Sequence, residues 1–211
     1  MRILVIGASQ GTGALAVAEA LKRGHSVTAF SRNPQRLTLD SPSLTKVAGD
    51  FHQLASVQAA VPGHDAVIVT ASATKLSAFK DNPNYFSLGT QFVIQAMKEH
   101  AVQRLVVLSA LGTGESAKLM NVVVRVLVTS WLLKVPFEDH ARQETLTRDS
   151  GLQWIVARPS RLTAGPARKQ YQKQIALKSV PATISRADVA DFLVEATETD
   201  QWVHQAVQLG G

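Results

Sequence analysis

Arg32 and Arg36 stand four residues apart, directly after Ser31 and the apolar segment that ends at Phe30. Guanidinium forks match a phosphate in both geometry and charge. Upstream lies Gly7-Ala8-Ser9-Gln10-Gly11-Thr12-Gly13, directly after the apolar run 2–6. Glycines spaced this way allow a tight turn, close backbone approach to a pyrophosphate, and close helix–strand packing. The phosphate then meets the free N–H groups of a helix start. A dinucleotide carrying only a ribose 2′-hydroxyl is normally met by Asp or Glu about 20 residues further on. No acid stands between Phe30 and Arg36. The pattern therefore predicts NADP(H), with Gly7, Ser9, Gln10, Gly11, Thr12 and Gly13 around the pyrophosphate and Ser31, Arg32 and Arg36 at the 2′-phosphate.

Further candidates follow later strands. Asp50 can accept from the adenine amino group, with Phe51 beside the ring, and Thr70, Ala71 and Ser72 leave room for ribose and nicotinamide. Ser109, after the run 104–109, is placed to hydrogen-bond the nicotinamide or an acceptor. His140 can donate a proton or hold the cofactor. Ser109 and His140 are thus the catalytic candidates. A Tyr-x-x-x-Lys pair is absent, since Gly89 and Ile175 lie four residues beyond Tyr85 and Tyr171, which argues against an ordinary alcohol dehydrogenase. There is no His-Glu-x-x-His, Gly-x-Ser-x-Gly or P-loop lysine. His25, His52, His64, His100 and His204 lack metal-ligand spacing, so no metal is expected.

These residues need elements to position them. Short β-branched runs occur at 2–6, 26–30, 44–48, 65–70, 104–109 and 153–157. Helical spacing occurs at 13–23, 86–100, 138–149 and 186–197, and Ser185 with Asp188 resembles a capping box. Strands apolar on both faces, each followed by a helix, predict an α/β fold: one Rossmann-type doubly wound parallel sheet with helices on both faces. No linker divides the chain, so residues 1–211 are expected to form one domain. Residues 159–182 read as a loop region near the ligand.

Bulk properties narrow the class. The chain has no Cys, which excludes disulfides and thiolate chemistry and fits a cytoplasmic protein. Its formal charge of +6 comes from scattered Lys and Arg, so a solvated basic surface is expected rather than a nucleic-acid site. The start, Met-Arg-Ile-Leu-Val-Ile-Gly, is too short for a signal peptide. Residues 119–137 form a long apolar stretch interrupted by Asn121, Arg125 and Lys134. A mid-span Arg is costly, so a buried or partner-facing helix is expected instead of a membrane span.

With these residues in place, the chain resembles the atypical short-chain dehydrogenase/reductases with an NAD(P)H-binding, NmrA-like domain, including flavin- and bilin-reducing members. The likeness runs through the glycine loop, Ser31-Arg32 to Arg36-Leu37, Gly49-Asp50, 65–69, 96–98 with Val102, 108–110, Asp139-His140-Ala-Arg142 and 150–152. It implies strand order 3-2-1-4-5-6-7 and NADPH-dependent hydride transfer to flavins, quinones or similar conjugated molecules. It also adds Arg158 and Pro159 to the cofactor-binding candidates. Two departures stand out: the middle glycine sits at 11 after Gln10, and Arg161 occupies a place where bilin reductases are expected to carry His. Both an enzyme and a non-catalytic NADP(H) sensor acting through a protein partner fit this reading. Oligomeric state is open between monomer and homodimer.

Overall fold

Runs of Val, Ile and Leu build the central sheet because their branched side chains pack on both faces of a pleated surface. The computed structural model describes residues 1–72, 77–119, 133–175 and 177–211. Its principal strands are β1 (Arg2–Ile6), β2 (Ser26–Ser31), β3 (Leu44–Ala48), β4 (Ala66–Val69), β5 (Arg104–Leu108) and β6 (Gln153–Pro159). Shorter ones follow: β7 (Arg161–Thr163), β8 (Gln172–Gln174), β9 (Thr183–Ser185), and then the longer β10 (Gln205–Gly210). The main sheet runs β3-β2-β1-β4-β5-β6-β10-β8, and β7 pairs with β9 separately. All neighbours in the main sheet are parallel except β8, which closes the edge antiparallel to β10. The expected strand order is found, with β10 as its seventh strand.

Helices α1 (Gly11–Lys22) and α6 (Arg186–Glu198) pack on one face. There Ile3, Val5, Val27, Ile68, Val106, Ile155 and Val207 meet Val17, Phe192 and Leu193. The other face presents Leu4, Ile6, Phe30, Val67, Leu105 and Val107 to α2 (Leu54–Ala60) and α4 (Tyr85–Glu99). A short α3 (Ala78–Asp81) precedes α4, and α5 (Lys134–Arg148) packs beside it. Apolar burial on both faces is the dominant stabilising term for such a layer structure.

The segment 159–182 differs from the loop reading. It contains β7 and β8, each only three residues long, too short to leave a periodic signal. Arg161 opens β7, where it is exposed. The backbone N–H groups of Arg168 and Lys169 both donate to Asp188 Oδ1 at 2.8 Å. The hydroxyl cap is present: Ser185 Oγ accepts from Asp188 N at 2.9 Å. Most of the apolar stretch 119–137 lies outside the described residues; Lys134–Phe137 form the start of α5.

α4 has no side-chain cap of its own. Its cap comes from another helix. Asp139 of α5, fully buried, accepts from Phe86 N at 2.6 Å and Ser87 N at 3.3 Å, and also from the Ser87 hydroxyl. The carboxylate meets the orphan donors and the positive end of α4 together. Replacing Asp139 with Ala should therefore destabilise the fold by about 2–4 kcal/mol, since buried charge-assisted bonds are lost and donors stranded. Chemical denaturation of the variant and the parent protein measures this; a loss under about 0.5 kcal/mol contradicts the capping role.

Candidate functional site

Two glycines set the geometry where β1 meets α1. Gly7 has φ +87°, and a Cβ there would fall 2.7 Å from the backbone nitrogen of Ala71. A Cβ on Gly13 would fall 2.3 Å from the carbonyl oxygen of Gly7 and 2.5 Å from Thr70 Oγ1. Only glycine lets the helix start so close to the strand ends. The first turn of α1 has no side-chain cap and no acid. Its free N–H donors and positive dipole end suit an anion.

A cleft opens beside this turn. Among its lining are Gly7, Ser9, Gln10, Ser31, Arg32, Arg36, Asp50, Phe51, Ala71 and Ser72, all named from sequence. Gly11 and Thr12 form the adjoining first turn, with Gly13 packed beneath it. Thr70 is buried under the loop, its hydroxyl donating to the Ile6 carbonyl at 2.8 Å. The cleft also recruits Ile6, Phe30, Asn33, Gly49 and Tyr85, which sequence reasoning missed. A Cβ on Gly49 would sit 2.3 Å from the Phe30 ring, so that glycine was the available signal for the close packing there.

The arginine end of the cleft fits an extra phosphate. Arg32 and Arg36 are exposed and form no ion pair among the described residues. Ser31 Oγ beside them is buried without a hydrogen-bond partner among the described residues. Such an orphan hydroxyl calls for an acceptor or donor that the described residues do not supply. Asp50 accepts from His52 N at 2.9 Å, which fixes its carboxylate at the cleft wall.

The remaining candidates gather around α5. Ser109 donates its hydroxyl proton to Glu144 Oε1 at 2.6 Å. Arg158 Nε donates to the same carboxylate oxygen at 3.0 Å, and Arg158 Nη2 reaches both Glu144 and Glu115. Arg148 bridges Glu115 and Glu144 at 3.0 and 3.3 Å. Burial works against the charge on Arg158, but the hydrogen bonds and charges of Glu144 and Glu115 together outweigh it and its pKa is raised. Burial pushes the Glu115 carboxyl up, yet its own backbone N–H and the Arg158 charge bring it below the usual range. The structure thus places Arg158 in an internal ion network at the end of β6, with Pro159 beside it, and neither is among the residues lining the cleft. Glu115, Asp139 and Glu144 were not named as candidates. For Asp139 and Glu144 the signal was the recurrence of polar residues at 139, 143, 144 and 147, on the face of α5 that turns inward.

His140 stacks on Phe86, with ring centroids 3.9 Å apart and planes at 13°. Gln143 Nε2 donates to Thr90 Oγ1 at 2.9 Å, which turns Gln143 Oε1 toward His140 Nδ1 at 2.9 Å. In this arrangement Nδ1 carries the proton and Nε2 the lone pair. Nε2 is then a hydrogen-bond acceptor. Burial lowers the His140 pKa below 6.5, against the opposing pull of Gln143. The described residues hold no cluster of His, Asp and Glu able to hold a metal.

Comparison with known proteins locates this arrangement. An NAD(P)H-binding family model matches residues 7–200. The chain belongs to that NAD(P)H-binding family. A relative, reductase pytE of Aspergillus terreus, is 23% identical, the match covering 96% of this chain and 90% of the relative. A wide-type short-chain dehydrogenase/reductase from Veillonella parvula, in complex with NADP, superposes with TM-score 0.84 at 16% identity, covering 100% of this chain and 94% of that one. ChuY from Escherichia coli O157:H7, an anaerobilin reductase, gives TM-score 0.81 at 20% identity, covering 100% and 97%. The fold of these structures is the fold found here. Among the described residues, no helix is long and apolar enough to cross a membrane.

Two outcomes are expected. Replacing Arg32 and Arg36 together with Ala should weaken NADPH by about 1.5–3 kcal/mol per lost charge-assisted contact while leaving NADH nearly unchanged. Calorimetry with both dinucleotides measures the ratio, and an unaltered ratio contradicts the assignment. The folded-state pKa of His140 lies below its ordinary 6.5, so its contribution to stability is whole above that pH and is lost as pH falls through the folded value. Between pH 7.5 and 5 the melting temperature of the parent protein should therefore drop more steeply than that of His140→Asn; parallel curves would show that His140 does not titrate this way.

Proposed function

We propose that the chain is an NADPH-dependent oxidoreductase that passes hydride to a flavin, quinone or similar flat conjugated acceptor. The observation that carries the reading is the combination of Arg32, Arg36 and the Ser31 hydroxyl, all without a partner among the described residues, at one end of a glycine-shaped dinucleotide cleft. The reduced cofactor, when bound, supplies the hydride. The residues carry the rest. Gly7, Ser9, Gln10 and the first turn of α1 would hold the pyrophosphate, and Ser31, Arg32 and Arg36 the 2′-phosphate. Asp50 and Phe51 would meet the adenine, while Thr70, Ala71 and Ser72 bound the path to the sheet ends. Ser109 donates its hydroxyl hydrogen bond to Glu144, so toward a ligand it would act as an acceptor through its lone pairs; they suit a carboxamide N–H₂ rather than a carbonyl.

The absence of Tyr-x-x-x-Lys supports a flat acceptor over an alcohol or ketone. A conjugated ring system needs stacking and orientation more than a strong acid at the reacting carbon. The resemblance to bilin- and flavin-reducing proteins points the same way, and pytE and ChuY are both named reductases. His140, neutral and stacked on Phe86, would hold a ligand N–H or O–H through Nε2.

The test is steady-state NADPH oxidation against a panel of flavins and quinones. Turnover is expected with at least one, and Ser109→Ala should lower kcat by about tenfold through lost orientation. Tight NADPH binding with no turnover on any acceptor would instead favour a sensor of the NADP(H) state.

A further inference from the structure

Tyr85 has no lysine four residues on, so its phenol lacks the partner that alcohol chemistry needs. Its place in the fold suits another task. It opens α4 and lines the nucleotide cleft, where every other lining residue sits at the end of β1, β2, β3 or β4 or in the loop that follows. Its ring is held on several sides, with centroids 4.4 Å from His52, 5.4 Å from Phe86 and 5.9 Å from Phe79. His52 Nε2 donates to the Tyr85 carbonyl at 2.8 Å, and the His52 backbone N–H donates to Asp50 Oδ1 at 2.9 Å. One histidine thus ties the start of α4 to the Asp50 wall of the cleft. Only 8% of Tyr85 stays exposed.

The tip of this well-held ring is unmet. Among the described residues the Tyr85 hydroxyl has no hydrogen-bond partner. It is not sealed in either, since the enclosed polar atoms without a partner belong to Ser31, Thr113, Ser160 and Gln208. It therefore opens into the cleft that the residue lines, within the fields of Arg32 and Asp50. Burial raises its pKa, against the Arg32 charge and with the Asp50 charge, so at neutral pH the phenol keeps its proton and donates. The neighbouring backbone donors of α4 are spent: Asp139 takes Phe86 N and Ser87 N, and its charge offsets the positive helix end. We propose that the Tyr85 hydroxyl donates to the 2′-phosphate of the cofactor, completing from α4 a subsite that Ser31, Arg32 and Arg36 begin after β2. The inference rests on the NADP(H) reading of the cleft. These side chains bring unmet donors to one end of it. A phosphate answers them at one point, because it gathers several strong acceptor oxygens, and bonds to a charged acceptor are the short, strong ones. A contact to the adenine or its ribose ring would serve both dinucleotides equally. Only a contact to the phosphate makes Tyr85 a determinant of NADPH over NADH.

The experiment compares Tyr85→Phe with the parent protein by calorimetry, using 2′,5′-ADP and 5′-AMP as probes beside NADPH and NADH. Expected is about a tenfold loss in affinity for NADPH and 2′,5′-ADP, the size of one hydrogen bond to a charged group, with NADH and 5′-AMP changed by less than about twofold. An equal loss on both members of each pair, or no loss, overturns the proposal; a parent preference for 2′,5′-ADP then still upholds the NADP(H) reading. A parent protein that binds 2′,5′-ADP no better than 5′-AMP defeats that reading and the proposal with it. If Tyr85→Phe fails to fold, ultraviolet difference spectra of the parent protein carry the comparison. The other tyrosine, Tyr171, already donates to Asp191 Oδ2 at 2.9 Å, so a red shift of tyrosine absorption reports Tyr85. The shift is expected on adding 2′,5′-ADP and not 5′-AMP. No shift, or the same shift with both, overturns the proposal.

Discussion

The approach of α1 to the ends of β1 and β4 governs everything built above it. Thr70 Oγ1 bonds the Ile6 carbonyl, and Gly13 packs onto both Thr70 and the Gly7 carbonyl at distances that no Cβ tolerates. With the helix seated there, its uncapped N–H groups point along the crevice where the strand order reverses, with β2 on one side of β1 and β4 on the other. A ligand anion can complete what the sequence leaves open. Placing Gln10 rather than Ser, Thr or Asp before the helix agrees with this, since a side-chain cap would compete for the same donors.

The opposite end of the strand edge is organised by charge rather than by apolar packing. The buried residues of α5 are Asp139, Gln143, Glu144 and Thr147, whereas those of α6 include Val189, Phe192, Leu193 and Val194. A buried ion network adds little net stability, because desolvation offsets attraction, but it tolerates only one geometry. Glu144 accepts from Ser109, Arg148 and Arg158, and Asp139 caps α4 from across the helix pair. These directional contacts fix the register of α5 and hence the seat of His140 on Phe86.

This division explains what could be read from the residue string. The principal strands were legible because both faces of a parallel sheet demand unbroken apolar runs, as in Leu4–Ile6 and Val67–Val69. β7, β8 and β9 are too short to show a period, and α2 buries only Val57 and Ala60, too few to mark a face. Likewise the dinucleotide half of the site is local in sequence: a glycine loop, then a strand, then two arginines. The other half is assembled over long separations. Ser109 meets Glu144 and Arg158 meets Glu115 only after the sheet has formed. No window of residues displays such a contact, although the inward polar period of α5 announces that some partner must exist.

Charge then separates the two ends by task. Arg32 and Arg36 are exposed cations without an ion partner among the described residues, suited to exchange a phosphorylated ligand with solvent. At the α5 end the described buried charges have their complements: Arg158 and Arg148 face Glu144 and Glu115, Asp139 faces backbone donors, and burial lowers the pKa of His140. A site of that kind exerts little net Coulomb force on an incoming molecule, so selection there falls to shape and hydrogen bonding. Under the proposed reading, the cofactor is recruited by charge and the acceptor by its ring and polar edge. The two ligands therefore do not compete for one determinant, and a change in salt should act on the first far more than on the second.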